Sequence, residues 1–506
     1  MKNILQTASG LIDSHEDHIR ENIAREESSV SFYKRSIHKT DGAIVSMGRD
    51  QKERFLMVVS AKETGLISEF SGEQIGDGGI FARKCPLNHH NAKIIRKYFP
   101  WTVPTSAAGH DLTVGFGDRI GLATLGHVAA ANSFKIFPVL AQQSVRELQM
   151  TGRTFFDVID DVTFQVFEAG YKDGYGADAD HLKTIGDIEI AYAAGMTFFT
   201  IDISDRIKVA ALEYDDKQLE TAFAQLDKDA QGRALDKYSG KEFKVGGKKI
   251  AFTEKMAKLC AVLYADAITF GIDAAAHLKS LDSRNHDLEI CFDEVNFSTP
   301  VEHHFYIARE LHDNGVDFAT IAPSFSKDFE QAIAFNSTPE EFGKIFALHN
   351  VVAEFFNSRL SIHSGSGKEA LFAIIAKLTG GKFHIKISGT SWLEAVRLIA
   401  VKDPVLFKIM YSCARDNVER LKKFYNVSPD IDSIPEVSGI YDDQLTALLE
   451  RPSVTQMMHV GYGAILKDKA IHPMLIAILH KTEKEYVEGL KNIYTGYLEL
   501  MGAVRK

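Results

Sequence analysis

The chain has 506 residues, 45% hydrophobic and 25% charged, with a formal net charge of −10; this is ordinary globular composition with ample material for a core, and the acidic balance argues against a general nucleic-acid partner. Cys85, Cys260, Cys291 and Cys413 lie far apart with no CxxC pair, so neither a disulfide framework nor a zinc ribbon is indicated. The N-terminus lacks a long apolar stretch and no run approaches membrane-spanning length, so the expectation is a soluble cytoplasmic protein with no membrane partner.

Residues 1–40 are charged and read as helical, at the edge of the fold. The runs 43–47 and 54–59 read as strands joined by a polar turn, and 91–99 reads as a helix stopped near Pro104. Residues 1–107 therefore make a small N-terminal α+β appendage. A regular rhythm follows, with strand-like runs at 111–118, 137–144, 175–181, 197–204, 287–295, 316–324, 358–365 and 382–389. Most are followed by one amphipathic helix, as at 301–314 and 368–379. Strands alternating with helices imply parallel pairing through right-handed crossovers. Eight such units imply a (β/α)8 TIM-type barrel over 108–400, with an open doubly wound sheet as the alternative. The fourth connection, 206–286, is too long for a plain loop. It holds a hairpin over 241–252 that turns at Val245-Gly246-Gly247-Lys248, then a helix over 254–279. Insertions after barrel strands sit over the mouth, which makes this one a candidate lid. Residues 401–506 form a helical C-terminal extension packed on the barrel, interrupted by the apolar run 456–463.

Two stretches carry most of the chemistry. Ser361-Ile362-His363-Ser364-Gly365-Ser366-Gly367-Lys368 and Phe383-His384-Ile385-Lys386-Ile387-Ser388-Gly389-Thr390 each read as a short strand, a small-residue turn and a helix. Because side chains alternate, His384, Lys386 and Ser388 share one strand face while Phe383, Ile385 and Ile387 share the other. Glycines and serines at the turns let backbone N–H groups approach an anion at the following helix N-terminus. A nucleotide-binding P-loop is not present: Ile362 stands where its first glycine belongs, and Glu369 follows the lysine. A sugar or carboxylate ligand fits better, with Gln142, Gln143, Ser364, Ser366 and Lys368 as candidate substrate-binding residues.

In a barrel the reactive groups stand at the C-terminal ends of strands. Those ends carry Asp118, Gln142, Gln143, the stretch 178–183, Asp202, Asp293, Glu294, Pro323, His363 and Lys386. Charges converging in one ring are expensive to bury unless paired or metal-bound. A divalent metal resolves that cost, and mixed carboxylate and imidazole ligands suit zinc, nickel or manganese. Glu294, His363 and His181 are the candidate ligands. The competing readings are an Arg-paired structural carboxylate for Glu294, a hydrogen-bonded barrel histidine for His363, and a helix N-cap by an aspartate in the stretch that contains His181. Asp202 is a candidate general base or an orienting group, with Asp118 as the other candidate base. Lys183 and Lys386 are placed to stabilise an oxyanion or bind a carboxylate. His384, deeper on the Lys386 face, reads as core. His89-His90 and His303-His304 read as structural or solvated, and His459 stays open.

Taken together these motifs resemble one family. Gly117-Asp118-Arg119-Ile120-Gly121-Leu122-Ala123-Thr124, Gln142-Gln143-Ser144-Val145-Arg146-Glu147-Leu148, the stretches 176–184, 361–368 and 384–390, and Leu393-Glu394-Ala395 are similar, in this order, to the bacterial tagaturonate epimerase family. Cys85-Pro86-Leu87 and His459-Val460 fit as well, so the resemblance covers nearly the whole chain. It implies a metal-dependent barrel enzyme of hexuronate catabolism that needs no nicotinamide and interconverts D-tagaturonate and D-fructuronate. Some members act on the neutral ketoses fructose and tagatose. The chain departs from the family pattern at Gly367, where an aspartate is expected; its absence removes a carboxylate beside the proposed anion site and bears on substrate preference.

The carbon inverted in this family lies one beyond the carbon next to the ketone, so its C–H is not acidified by the carbonyl. Two routes remain: transient oxidation by a tightly held nicotinamide, or retro-aldol cleavage, rotation of the aldehyde and re-addition. No GxGxxG stands between a strand and a helix, which counts against the first. Glu294, His363 and His181, with Asp202 or Asp118 as base and Lys183 or Lys386 near the oxyanion, have the composition the second requires. A lysine Schiff base is its metal-free variant. The alternative functions are a related metal-dependent aldolase or ketose isomerase, or a non-catalytic sugar-acid binding protein. Oligomeric state is left open by the sequence.

Overall fold

The eight strand-like runs become the eight parallel strands of one closed barrel: β1 (Leu112–Gly117), β2 (Phe137–Ser144), β3 (Gly176–Leu182), β4 (Phe198–Asp202), β5 (Asp287–Phe292), β6 (Thr320–Pro323), β7 (Arg359–Ile362) and β8 (Phe383–Ile387). Each strand pairs with its sequence neighbours and β8 closes onto β1. The computed structural model describes residues 2–506 apart from 13, 24–29, 52, 77–78, 282–284, 328 and 336–337. Period-two alternation sorts the side chains as expected. Phe383, Ile385 and Ile387 are wholly buried under the surrounding helices, while His384 and Lys386 turn into the barrel.

The barrel interior is polar above an apolar base. Ala107, Phe137, Val139 and Phe198 form a small separate cluster at the bottom. His384 stacks on Phe198 at 5.0 Å between ring centres, and its Nδ1 lies 2.8 Å from Thr113 Oγ1, so this histidine is core as read. One layer higher come Asp178, Thr200, Glu289 and Lys386 from four different strands. The Thr320 hydroxyl donates to Glu289 Oε2 at 2.6 Å and that of Thr200 to Asp178 Oδ1 at 2.9 Å. Buried carboxylates are tolerated only when so bonded.

The N-terminal region is an antiparallel six-stranded sheet preceded by the helices Lys2–Gly10 and Glu16–Ile23. Only the first part of 1–40 is helical, since Ser31–Phe32 and His38–Thr40 join the sheet. The strand Phe81–Cys85 was hidden from sequence reading by Arg83 and Lys84, which interrupt any apolar alternation. His38, Phe99 and Trp101 cluster on Phe167 of the helix Phe155–Ala169 and fix the sheet to the barrel's outside.

The insertion after β4 is structured, as its length required, but it is not a lid. Its hairpin (Glu242–Val245 and Lys248–Ala251) does not line the cavity at the barrel mouth. Phe243 and Phe252 meet Phe305 and Tyr306 on the outer helix Val301–Asp313. The helix Glu254–Leu281 is long and apolar enough to cross a membrane, contrary to the sequence reading, yet more than half of its most apolar stretch is buried within the protein. In the C-terminal extension the run 456–463 does not interrupt the helices but lies inside one, Pro452–Ile465. Gly461 sits there because a Cβ would come within 2.6 Å of that of Ala414, on the neighbouring helix Pro404–Leu421.

Because the hairpin braces outer helices, truncating its core should act on stability and leave the site alone. Phe252→Ala is expected to destabilise by about 3–5 kcal/mol, the range for a buried phenylalanine, with an unchanged KM. Denaturant melts and steady-state kinetics on the same preparation test this, and a raised KM at wild-type stability would restore the lid.

Candidate active site

At the C-terminal end of the barrel lies a cavity of about 450 Å³. Its floor is built on Lys386, whose Nζ lies 2.9 Å from Asp178 Oδ2, 2.7 Å from Asp180 Oδ1, 2.8 Å from Glu289 Oε1 and 2.6 Å from Thr200 Oγ1. Burial works against this charge, but the three carboxylates outweigh it and hold the lysine pKa well above its ordinary value. In return Asp180, despite burial, is lowered to about 2 by Lys386 and the two nearby imidazoles. Asp178 is pushed up to about 7, because burial and its carboxylate neighbours prevail over the lysine.

Two imidazoles stand on this floor. His363 Nε2 is 2.8 Å from Glu289 Oε1, and its Nδ1 is 3.1 Å from Asp293 Oδ2. His181 Nδ1 is 3.0 Å from Asp202 Oδ2, and its Nε2 points toward Asp180 Oδ1 at 3.8 Å. Burial opposes protonation of both rings, yet the carboxylates win: His363 rises to about 9 and His181 well above its usual value. The backbone is left-handed at His181 (φ 54°) and Ser364 (φ 57°). A non-glycine residue held there is strained, and such strain concentrates at functional sites.

This donor set fits a metal ion. His181, Cys291, Asp293 and His363 bring their ligand atoms within 4.8 Å of one another, and two further groups share the same imidazoles: Asp180, Glu289 and His363, and His181, Asp202 and Glu294. Each imidazole has one nitrogen on a wholly buried carboxylate, Asp202 or Glu289, which is the arrangement that orients metal-bound histidines. Asp178, Asp180, Asp202, Glu289, Asp293 and Glu294 also outnumber the cations Lys183, Lys386 and Arg146 that meet them. Cys291 lies between the rings, 3.5 Å from His181 Nδ1 and 3.9 Å from His363 Nδ1, and its thiol donates to Asp293 Oδ1 at 2.8 Å. Burial and Asp293 raise its pKa well above normal, so it orients Asp293 as a neutral thiol.

The other residues singled out from sequence divide sharply. Glu294 lines the cavity but takes the Arg-paired alternative: Arg146 Nη1 donates to Oε1 at 2.6 Å and Lys183 Nζ to Oε2 at 3.1 Å. Asp202 takes its orienting alternative, behind His181, and Lys183 reaches it at 3.4 Å. Gln142 lines the cavity and donates to Asp180 Oδ2 at 3.0 Å. Gln143 instead donates to Glu147 Oε2 at 2.7 Å and does not reach the cavity. Asp118 is also outside it. Its carboxylate accepts from the backbone N–H groups of Ile120, Gly121 and Ala123, so it braces a turn and is no base.

The small-residue turn after β7 does not form the expected anion site. Ser364 lines the cavity, but the Ser366 hydroxyl accepts from the N–H groups of Gly389 and Thr390, at the start of the neighbouring helix Gly389–Lys402 after β8. Lys368 donates to the carbonyls of Glu330 and Ile333 at 2.5 and 2.6 Å, and burial lowers its pKa to about 8. Gly367 is left-handed (φ 80°), and any Cβ there would meet the Ile333 backbone within 2.8–2.9 Å. The expected aspartate is therefore excluded sterically, by the same chain segment that Lys368 holds.

Sequence reasoning missed one wall of the cavity. Arg119 is wholly buried; its Nε donates to Glu147 Oε1 and its Nη1 to the His459 carbonyl, both at 2.8 Å, and it stacks over Tyr462 at 4.1 Å. Arg146 stacks over Tyr425 at 4.5 Å, and the two tyrosine hydroxyls are 2.5 Å apart. Both arginines follow strand ends closely, a signal that was available. Tyr425 and Tyr462 come from the C-terminal helices and gave none.

A family model described as tagaturonate epimerase matches residues 33–501. The tagaturonate/fructuronate epimerase of Thermotoga maritima is 34% identical over 471 residues, covering 93% of this chain and 96% of that protein. A crystal structure of fructuronate-tagaturonate epimerase from Cohnella laeviribosi, complexed with one glycerol, superposes with a TM-score of 0.89 at 33% identity, over 94% of this chain and 97% of that one. Its native structure gives the same TM-score at 32% identity, over 98% and 100%.

The floor makes a stability prediction of its own. Lys386→Met leaves three buried carboxylates without their common cation and should destabilise by about 3–5 kcal/mol. Lys183→Met, at a partly exposed position, should cost less than about 1 kcal/mol. Urea unfolding of both variants decides it, and equal losses would remove the lysine from the centre of the fold.

Proposed function

Because this chain belongs to the tagaturonate epimerase family, we propose that it interconverts D-tagaturonate and D-fructuronate as a divalent-metal enzyme, by breaking and remaking a carbon–carbon bond. The observation that carries this reading is the set of His181, Asp293 and His363 facing the cavity, with Asp202 and Glu289 behind the imidazoles. Asp293 replaces Glu294 as the carboxylate ligand, since both oxygens of Glu294 already face cations. Zinc, nickel or manganese suits such a set. The ion, when bound, supplies Lewis-acid stabilisation of negative charge on the ketone-side fragment.

The chain's own residues account for the rest. With the ketone carbon counted as C2, the inverted centre is C4 and the carboxylate is C6. Cleavage of C3–C4 leaves the bonding electrons on the ketone-side fragment, and the C4 hydroxyl gives up its proton as it becomes an aldehyde. Asp180, Glu294 and Glu147 are the cavity carboxylates left outside the ligand set; Glu147 is held by Arg119 and Gln143, and Asp180 and Glu294 accept that proton in the two orientations of the aldehyde. Lys386 and Gln142 keep Asp180 ionised and fixed; Arg146 and Lys183 do the same for Glu294. Phe325 and Phe329 line the cavity as apolar wall, which helps retain the fragments until re-addition. The enzyme works as a soluble cytoplasmic protein on small sugar acids; its four cysteines are all unpaired, as suits a reducing compartment.

Purified protein is expected to hold about one divalent ion per chain. Elemental analysis should find it lost in His181→Ala and in His363→Ala but kept in Glu294→Gln; retention in both histidine variants removes the assignment. Reaction in deuterated water should leave C4 free of deuterium, with a carbon isotope effect at C4 and a negligible primary deuterium effect. A large primary deuterium effect, or nicotinamide released on denaturation, would overturn the carbon–carbon route and leave the family intact.

A further inference from the structure

The cavity is electrically divided. Its floor gathers carboxylates and imidazoles that call for a cation, whereas the opposite wall presents Arg146, Arg119 and Lys423. Of these, Arg119 is spent: Glu147, the His459 carbonyl and the Tyr462 ring take its donors and its face. Its work is to place Tyr462, which in turn holds the Tyr425 hydroxyl at 2.5 Å. Arg146 rests on that tyrosine and is not spent. Among the described residues its one hydrogen bond is from Nη1 to Glu294, and its Nε is buried without a partner. An unsatisfied buried donor of a charged group is costly unless a ligand completes it.

We propose that Arg146 binds the substrate carboxylate and thereby makes the cavity select sugar acids over neutral ketoses, a reading that rests on the function proposed above. The chemistry of the substrate agrees with the place. Glu294, the partner of Arg146, serves the C4 hydroxyl, and the carboxylate lies two carbons farther along the same fragment. Guanidinium forks match carboxylates in shape as well as charge. Held at Arg146, the aldehyde fragment keeps one end fixed while its carbonyl turns over, which is what inversion without escape requires. At the turn after β7, the sequence's own candidate for an anion, the Ser366 hydroxyl accepts from the Gly389 and Thr390 N–H groups and Lys368 is held on the Glu330 and Ile333 carbonyls.

Calorimetric titration of metal-loaded protein with fructuronate and with fructose tests this without requiring turnover. Wild type should bind the acid at least tenfold more tightly than the ketose. In Arg146→Gln, affinity for fructuronate should fall about 100-fold, the order expected for truncating one partner of a hydrogen-bonded charge pair, while affinity for fructose stays within about twofold. Arg146→Lys, which keeps the charge but not the fork, should fall between and serves as the readout if the glutamine variant does not fold. Equal losses for both ligands would make Arg146 a support for Glu294 and overturn the proposal, as would a wild type with no preference. A preference with no turnover of either sugar would leave Arg146 in place and remove the epimerase function instead.

Discussion

Lys386 meets Asp178, Asp180, Glu289 and Thr200 at 2.6–2.9 Å in the middle of the barrel. Two strands, β3 and β5, bring carboxyl oxygens, and β4 a hydroxyl, to one ammonium contributed by β8. A barrel interior filled with branched apolar chains would be simpler to stabilise, and replacing buried ion pairs by such chains is often neutral or favourable. What the lysine provides is position. It fixes Asp180 at the cavity and Glu289 beneath His363, so the geometry of the reactive layer is set by a charge that lies one layer below it.

From that layer the electrostatics follow. Negative groups exceed positive ones around His181 and His363, and both rings are driven toward protonation although they are buried. Protonated imidazoles and a bound divalent ion are two answers to the same excess, and they exclude each other because a ligating imidazole must be neutral. The opposite wall carries the complementary sign. A substrate with a polar ketone end and an anionic end meets a field that orients it before any contact is made.

Much of this was legible in the sequence because barrel strands are short, largely apolar runs that alternate with helices. All eight were placed, and so were the insertion's hairpin and long helix. Legibility failed where a residue's partner lies far away in sequence. Asp293 and Glu294 are adjacent and lie beyond the last strand residue, Phe292, where alternation no longer says which one turns inward. Ser366 and Lys368 have the chemistry of anion binders but spend it on backbone brought in by residues 330–333 and 389–390. The run 456–463 reads as an interruption of the helices, and Gly461 within it is instead a point of close helix contact. Arg146 could have been found at its strand end, but the tyrosine beneath it could not.

Tyr425 belongs to the C-terminal extension, whereas the candidate metal-binding set is complete at His363 and the barrel closes with β8. The two halves of the cavity are therefore separated in time as the chain emerges during synthesis. Reactive floor groups assemble first, open to water and without the surface on which Arg146 rests. The surface that supports Arg146 is in place only when the last helices dock. The extension thus completes the wall of a cavity whose floor the barrel has already built.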